Sequence, residues 1–171
     1  MTAEALRWLR VEVVERMNRG MSEAEILADM SYPPELFDHP WMAPTYGCAD
    51  YIVRDLYREE NGWWDRNPTT LHPSPPDQAA FEILSALGDP ATVVNRAKEL
   101  AQGGRTQLAL HVIDLVALAP GDDPVVAEAR AVKAELCRVR SEEGEPFVSK
   151  SCYRSSARLL DEGHTSWQDL P

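Results

Sequence analysis

The stretch from Trp41 to Pro76, WMAPTYGCADYIVRDLYREENGWWDRNPTTLHPSPP, is the most informative part of this 171-residue sequence. A polar helix with aromatic residues fills its middle, and GWWDRNP (residues 62–68) follows. Because adjacent residues cannot share one face of a helix or strand, Trp63 and Trp64 predict a shaped loop that packs against two surfaces. Two interpretations stay open: a loop that plugs the end of a helical core, and a loop that binds a ligand or partner.

Helical periodicity dominates the residues before this stretch. A first helix is predicted from about Ala3 to Arg19, and Gly20 ends it. Apolar residues spaced by three and four give this helix one apolar face: Leu6, Leu9, Val13 and Met17. Ser22 and Glu25 have the spacing of a capping box and predict a short second helix. The helix within the quoted stretch is predicted from about Cys48 to Glu60.

Three later helices share one start signal, a capping side chain followed by proline. The signal occurs at Ser74-Pro75, Asp89-Pro90 and Asp123-Pro124. In the segment between the second and third signals, one set of apolar residues predicts the packed face: Leu108, Val112, Leu115 and Val116. A last helix is predicted from about Ser149 to Asp161.

These patterns predict one all-α domain over residues 1–171, a helical bundle without strands. From Ala91 to Leu136 the paired helices resemble tetratricopeptide hairpins, with at most one or two repeats. Residues 165–171 lack a pattern and are predicted to form a flexible tail.

Composition excludes several classes of partner and location. A net charge of −11 argues against a nucleic-acid backbone or an anionic membrane as partner. No apolar run approaches the roughly 20 residues that span a bilayer. Three cysteines without C-x-x-C spacing, together with a start that lacks the pattern of a secretory signal, predict a cytoplasmic protein with free thiols.

The usual catalytic signatures are missing from the sequence. It contains no H-x-H or H-E-x-x-H for zinc, no Gly-rich phosphate loop and no G-x-S-x-G elbow. His111 and Asp114 share a helical face among apolar neighbours, which predicts a packed, hydrogen-bonded histidine rather than a metal ligand. Cys48 begins a helix but has no histidine near it in sequence. We therefore predict neither a catalytic residue nor a metal site in this chain.

Several motifs follow one another in a fixed order in the central stretch. Tyr46-Gly47 opens it, Arg54 and Tyr57 form R-x-x-Y, and GWWDRNP and LHPSPP (residues 71–76) follow. In this order they resemble the dimerisation domain of the alkylsulfatases, SDS-hydrolase-type enzymes of the metallo-β-lactamase superfamily. The resemblance covers roughly Val11 to Arg140, and the G-W-x-D-x-N-P run is its most specific part.

The resemblance implies a function that the residues alone do not supply. Alkylsulfatases hydrolyse sulfate esters of alcohols at a two-zinc site in a β-lactamase-like domain, whose H-x-H-x-D-H motif is missing here. Their dimerisation domain pairs subunits and helps to wall the catalytic cleft. The chain is thus expected to be a free-standing small subunit of a split enzyme that binds no metal itself. The expected partner is a β-lactamase-fold chain, which would hold any zinc. The two chains would form a heterodimer or heterotetramer. The alternative is a non-enzymatic homodimeric scaffold.

The resemblance also implies roles for individual residues. Substrate-binding candidates are Tyr46, Gly47, Arg54 and Arg66. Partner-interface candidates are Trp41, Tyr57, Trp63, Trp64, Asp65 and Asn67. If the ring of Trp63 is buried, its replacement by alanine is expected to cost on the order of 3 kcal/mol.

Two departures from the family pattern affect these candidates. Tyr51-Ile52 stands where the family often has His-Asn, which removes polar groups from the wall of the cleft. Arg66 replaces the second glycine of the G-W-Y-D-G-N-P run, so this position is not expected to need a positive φ. The guanidinium of Arg66 is suited to hold a sulfate or a partner's carboxylate.

Overall fold

The computed structural model describes residues 2–144 and 146–164 of the chain. Within these residues the regular structure is helical and contains no strand, which confirms the all-α prediction. Besides a 3₁₀ turn at Pro40–Met42, the helices are α1 Thr2–Asn18, α2 Glu23–Asp29, α3 Pro34–Phe37, α4 Ala49–Asn61, α5 Pro68–Leu71, α6 Pro76–Ala86, α7 Pro90–Gln102, α8 Thr106–Ala117, α9 Pro124–Glu142 and α10 Phe147–Asp161. The predicted tail, residues 165–171, lies outside the described residues.

The chain divides into two compact units, Met1–Pro73 and Ser74–Pro171. Each unit has a hydrophobic core built from its own residues. The first unit contains all of the predicted site residues and is described first.

The core of the first unit lies among α1, α2 and α4. Its fully buried side chains are Leu9, Val13, Ile26, Val53 and Tyr57. The predicted capping box starts α2: the backbone N–H of Ser22 donates to Glu25 Oε2 at 2.8 Å, and the N–H of Glu25 donates to Ser22 Oγ at 3.4 Å. The predicted apolar face of α1 is only partly correct, because Leu6 is 43% exposed.

The second unit contains α6 to α10, and consecutive helices from α7 to α10 pack on one another. Two predicted caps are confirmed: the Asp89 carboxylate accepts from the N–H of Ala91 at 3.1 Å, and that of Asp123 from the N–H of Val125 at 2.9 Å. The predicted cap at Ser74 is wrong, because α6 begins one residue later and Pro75 occupies its N-cap. The tetratricopeptide assignment of these hairpins stays a prediction.

The predicted packed face of α8 is only partly correct, because Val116 is buried and Val112 packs against the core but two predicted residues are exposed. Leu108 and Leu115 are 51% and 40% exposed, and His111 is exposed rather than packed, with Gln107 as a neighbour 3.5 Å from its ring. The residues that α8 buries are Thr106, Ala109, Leu110, Ile113, Val116 and Ala117. Small alanines on this face let neighbouring helices come close. Apolar residues occupy most, but not all, sides of α8, and their spacing alone did not identify the face that packs.

Candidate functional site

The GWWDRNP loop after α4 is shaped by its own polar groups. At the end of α4, Gly62 has φ 73° and its N–H donates to the carbonyl of Arg58 at 2.8 Å. The carboxylate of Asp65 accepts from the N–H of Asn67 at 2.9 Å and from the hydroxyl of Thr70. These hydrogen bonds, the one from Thr70 first, lower the pKa of Asp65.

The second half of the loop leads directly into α5. The side-chain oxygen of Asn67 accepts from the N–H of Thr69 at 3.1 Å, and Pro68 is the first helical residue. Asp65 and Asn67, predicted to contact a partner, therefore also hold the loop in shape.

The two adjacent tryptophans have different surroundings, and the prediction that both pack against a surface is wrong for Trp63. Trp64 is half-buried, and its indole N–H donates to the carbonyl of Asn67 at 3.0 Å. Its own carbonyl accepts from the side-chain amide of Asn61 at 2.7 Å. Trp63 is 71% exposed, so its ring does not plug the core. The expected loss of about 3 kcal/mol on truncation does not apply to so exposed a ring.

Arg66 contradicts the expectation for its backbone. Its φ is 70°, and among the described residues it is the one non-glycine with a positive φ. The position keeps the backbone that favours glycine although the side chain is now arginine. The guanidinium lies 3.8 Å from the place of a Cβ on Gly20, and its charge adds to the hydrogen bonds from Ser22 that chiefly lower the pKa of Glu25.

A cavity of about 350 Å³, which we call the Tyr57 cleft, lies in the first unit between α2 and the end of α4. It is lined by Ser22, Glu23, Ala24, Tyr57, Arg58, Gly62, Trp63 and Asp65. Tyr57 is 2% exposed, and its buried hydroxyl has no hydrogen-bond partner in the part of the chain that the structure describes. Glu23 forms an ion pair with Arg54 at 3.0 Å.

A second cavity in the same unit, about 330 Å³, is mostly apolar, and we call it the Trp41 groove. It is lined by Thr2, Leu6, Phe37, Trp41, Met42, Ala43, Gly47, Cys48, Ala49, Tyr51 and Ile52. Trp41 is 71% exposed and lies against His39, with ring centroids 3.9 Å apart. A Cβ at Gly47 would lie only 3.2 Å from the ring of Tyr51, so glycine suits the close approach here.

The four substrate-binding candidates do not line one cavity. Gly47 lines the Trp41 groove, and Tyr46 is 71% exposed and lines neither cavity. Arg54 reaches the Tyr57 cleft through its ion pair with Glu23, whereas Arg66 lies beside Gly20. Three interface candidates do come together in the Tyr57 cleft: Tyr57, Trp63 and Asp65.

Sequence reasoning missed the other polar residues of the Tyr57 cleft. Ser22 and Glu23 come from α2, far from α4 in sequence, and gave a capping signal only. Arg58 follows Arg54 by four residues, a spacing that places both on one face of α4 and could have suggested it.

Other features limit what the site can contain. No group of three or more metal-ligating side chains occurs in residues 2–144 and 146–164. None of the described helices is long and apolar enough to cross a membrane. A larger cavity of about 550 Å³ lies in the second unit, and none of the predicted site residues lines it. Its lining residues are Ser74, Asp77, Gln78, Ala79, Phe81, Glu82 and Pro120.

Known enzymes show the same sequence pattern and fold. The chain is 27% identical over 139 residues to a linear primary-alkylsulfatase from Pseudomonas sp. (strain ATCC 19151), covering 81% of this chain and 26% of that protein. It is 26% identical over 157 residues to an (R)-specific secondary-alkylsulfatase from Pseudomonas sp., covering 91% and 23%. The structure of a double mutant of the sec-alkyl sulfatase PisA1 matches with a TM-score of 0.80 at 26% identity, covering 92% of this chain and 24% of that one.

These comparisons concern one part of the related enzymes. The chain spans about a quarter of the length of the curated relatives it matches. The family model for alkyl sulfatase dimerisation matches residues 22–163, which include α2 to α10 and both cavities of the first unit apart from Thr2 and Leu6. The chain therefore belongs to the alkyl sulfatase dimerisation family.

Proposed function

We propose that this chain is the non-metal helical subunit of an alkylsulfatase-like enzyme. It pairs with a β-lactamase-fold catalytic chain and contributes one wall of a pocket for a sulfate ester. The match to the dimerisation family over residues 22–163 carries the proposal, because relatives named as alkylsulfatases contain the same segment within longer chains. Any zinc belongs to the partner chain. The reducing cytoplasm is the proposed location, in keeping with three cysteines that form no disulfide.

Exposed aromatic side chains in the first unit support an interface there. Trp41, Tyr46 and Trp63 are each 71% exposed. Large aromatic rings are enriched in the buried centres of interfaces, where they contribute much of the binding energy. A partner that covers these three rings would remove a large apolar area from water.

In the proposed complex the chain binds and orients, and the partner supplies the reacting groups. Sulfate would leave the alkyl carbon by hydrolysis or by attack of a nucleophile within the substrate. Gly47 and Tyr46 are best placed to face a substrate, since one lines the Trp41 groove and the other is exposed beside it. Arg54 would first have to leave Glu23, which makes it the weaker candidate.

One observation favours the alternative, a homodimeric scaffold. Leu108 and Leu115 on α8 and Leu118 just after it are 40–51% exposed, with His111 beside them. The acidic residue next to them, Asp114, is neutralised by an ion pair with Lys133 at 2.7 Å. On a chain with a net charge of −11, such a face is where two copies could approach with least charge repulsion.

Purification of the tagged chain from its native cells tests the proposal. We expect a β-lactamase-fold protein to co-purify, and Trp41→Ala or Trp63→Ala to weaken its retention. Phe81→Ala is the matched control, because Phe81 is an exposed aromatic of the second unit at 55% exposure. Recovery of the chain as a dimer without any such protein would refute the proposal and favour the scaffold.

A further inference from the structure

We infer that the cavity of about 550 Å³ in the second unit, which we call the α6 cavity, is a binding site for a small organic cation with a guanidinium group. Asp77 and Glu82 would bind the charge, and the ring of Phe81 would pack against the plane of the guanidinium. The inference does not depend on the proposed catalytic partner, because none of the proposed interface or substrate residues lines this cavity.

The first argument is the shape of the cavity. Most of its lining residues belong to α6 or come just before it, and Pro120 comes from the turn between α8 and α9. Arg130 holds this turn, because its guanidinium donates to the carbonyls of Ala117 at 3.3 Å, Ala119 at 2.6 Å and Gly121 at 2.9 Å. The wall is therefore in place before a ligand arrives, which lowers the cost of binding. The cavity volume falls within the usual range for small-molecule sites.

The second argument concerns the charges of the lining. Asp77 and Glu82 line the cavity, and none of the other described lining residues carries a charge. Neither carboxylate forms an ion pair with a residue that the structure describes. Asp77 lies in the first turn of α6, where the helix dipole favours an acid, but Glu82 lies beyond that turn and has no such role. A cation in the cavity would be attracted by both carboxylates.

The third argument is the exposed aromatic ring, which indicates the kind of cation that fits. The residue that α6 buries is Ala80, whereas Phe81 is 55% exposed and lines the cavity. A cation above the face of an aromatic ring is attracted by the ring electrons. A guanidinium is planar and weakly hydrated, so it can stack on the ring while its N–H groups donate in pairs to a carboxylate. A metal ion fits less well, because the described lining offers two carboxylates and a divalent metal needs more oxygen ligands than these supply.

The test is an NMR titration of the isotope-labelled full chain with butylguanidinium. We expect its backbone resonance shifts to centre on residues 77–82. Asp77→Asn and Glu82→Gln should each weaken binding about fivefold, since each removes one of two exposed ionic contacts. Phe81→Leu keeps an apolar side chain but loses the ring, and it should also weaken binding, by about threefold. Asp55→Asn, which removes the same charge from the exposed face of α4, is the matched control and should leave the affinity unchanged.

Three further ligands test the chemical class. Butylammonium should bind more weakly than butylguanidinium, and butyrate should not bind. Tighter binding of butylammonium would overturn the choice of guanidinium, and tighter binding of arginine within a blocked tripeptide would overturn the choice of a small molecule. Absence of shifts around α6, unchanged affinity in the double variant of Asp77 and Glu82, or an equal loss in Asp55→Asn would overturn the site itself. None of these measurements involves a catalytic chain, so this inference and the proposed function can fail separately.

Discussion

Replacement of Tyr57 by phenylalanine should make the isolated protein more stable. The variant keeps the ring, which packs among Leu9, Val13 and Ile26, and removes a buried hydroxyl that has no described partner. An unpaired buried hydroxyl costs about 1–3 kcal/mol, so the free energy of unfolding should rise by up to that amount. With a typical urea dependence for a small domain, the unfolding midpoint should rise by about 1 M.

Urea titration followed by tryptophan fluorescence is the suitable assay, because four of the five tryptophans lie in residues 1–73. Tyr32→Phe is the matched control. Tyr32 packs against the same core, but its hydroxyl donates to the carboxylate of Asp50. Removing that hydrogen bond should lower the free energy of unfolding by about 1 kcal/mol, the opposite sign.

The result that refutes this reasoning is a loss of stability in Tyr57→Phe similar to that in Tyr32→Phe. It would mean that the hydroxyl of Tyr57 has a hydrogen-bond partner in solution.

Three other changes test the loop and the thiols. The Arg66→Gly variant should be about 1 kcal/mol more stable than Arg66→Ala in the same urea assay. Both variants lose the arginine side chain, but only glycine adopts a φ of 70° without strain. Equal stability of the two variants would contradict the positive φ at this position. Asp65→Asn should make the Tm depend less on pH in acid. A carboxylate whose pKa is lowered in the folded state stabilises the fold above its ordinary pKa of 3.8, and this contribution is lost as the pH falls through the lowered pKa. Below about pH 4 the Tm of the wild-type protein should therefore fall faster than that of the variant. In the folded protein, the exposed Cys152 should react with a thiol reagent before Cys137, which is buried and whose pKa is raised by burial. If the fast phase of thiol labelling comes from Cys152, it should be lost in the Cys152→Ser variant.

Local signals in the sequence were enough to predict most helix starts. The capping box at Ser22 and Glu25 and the caps at Asp89 and Asp123 need only a few neighbouring residues, and all are present. The packed face of α8 depends on which helices surround it, and the spacing of apolar residues that cover most of this helix does not carry that information.

The candidate site was predictable only where its residues are close in sequence. Trp63 and Asp65 stand out in the GWWDRNP run, but Glu23 joins them through the packing of α2 against α4. At Arg66 the preference of arginine for a negative φ was overruled by the loop around it, where Asp65, Asn67 and Thr70 form several hydrogen bonds. These hydrogen bonds oppose the roughly 1–2 kcal/mol that a left-handed backbone costs.

The small core of the first unit has a consequence for how the cell would control this protein. Among the residues that the structure describes, five buried side chains form the core of that unit, against fifteen in the second. The unit that contains Trp41, Tyr46 and Trp63 is therefore expected to open more often. A partner that binds its closed form suppresses opening in proportion to the partner's concentration. Copies in excess of the partner would be cleaved by proteases while paired copies survive. Proteolysis alone would then match the amount of this chain to that of its partner, without any dedicated regulator.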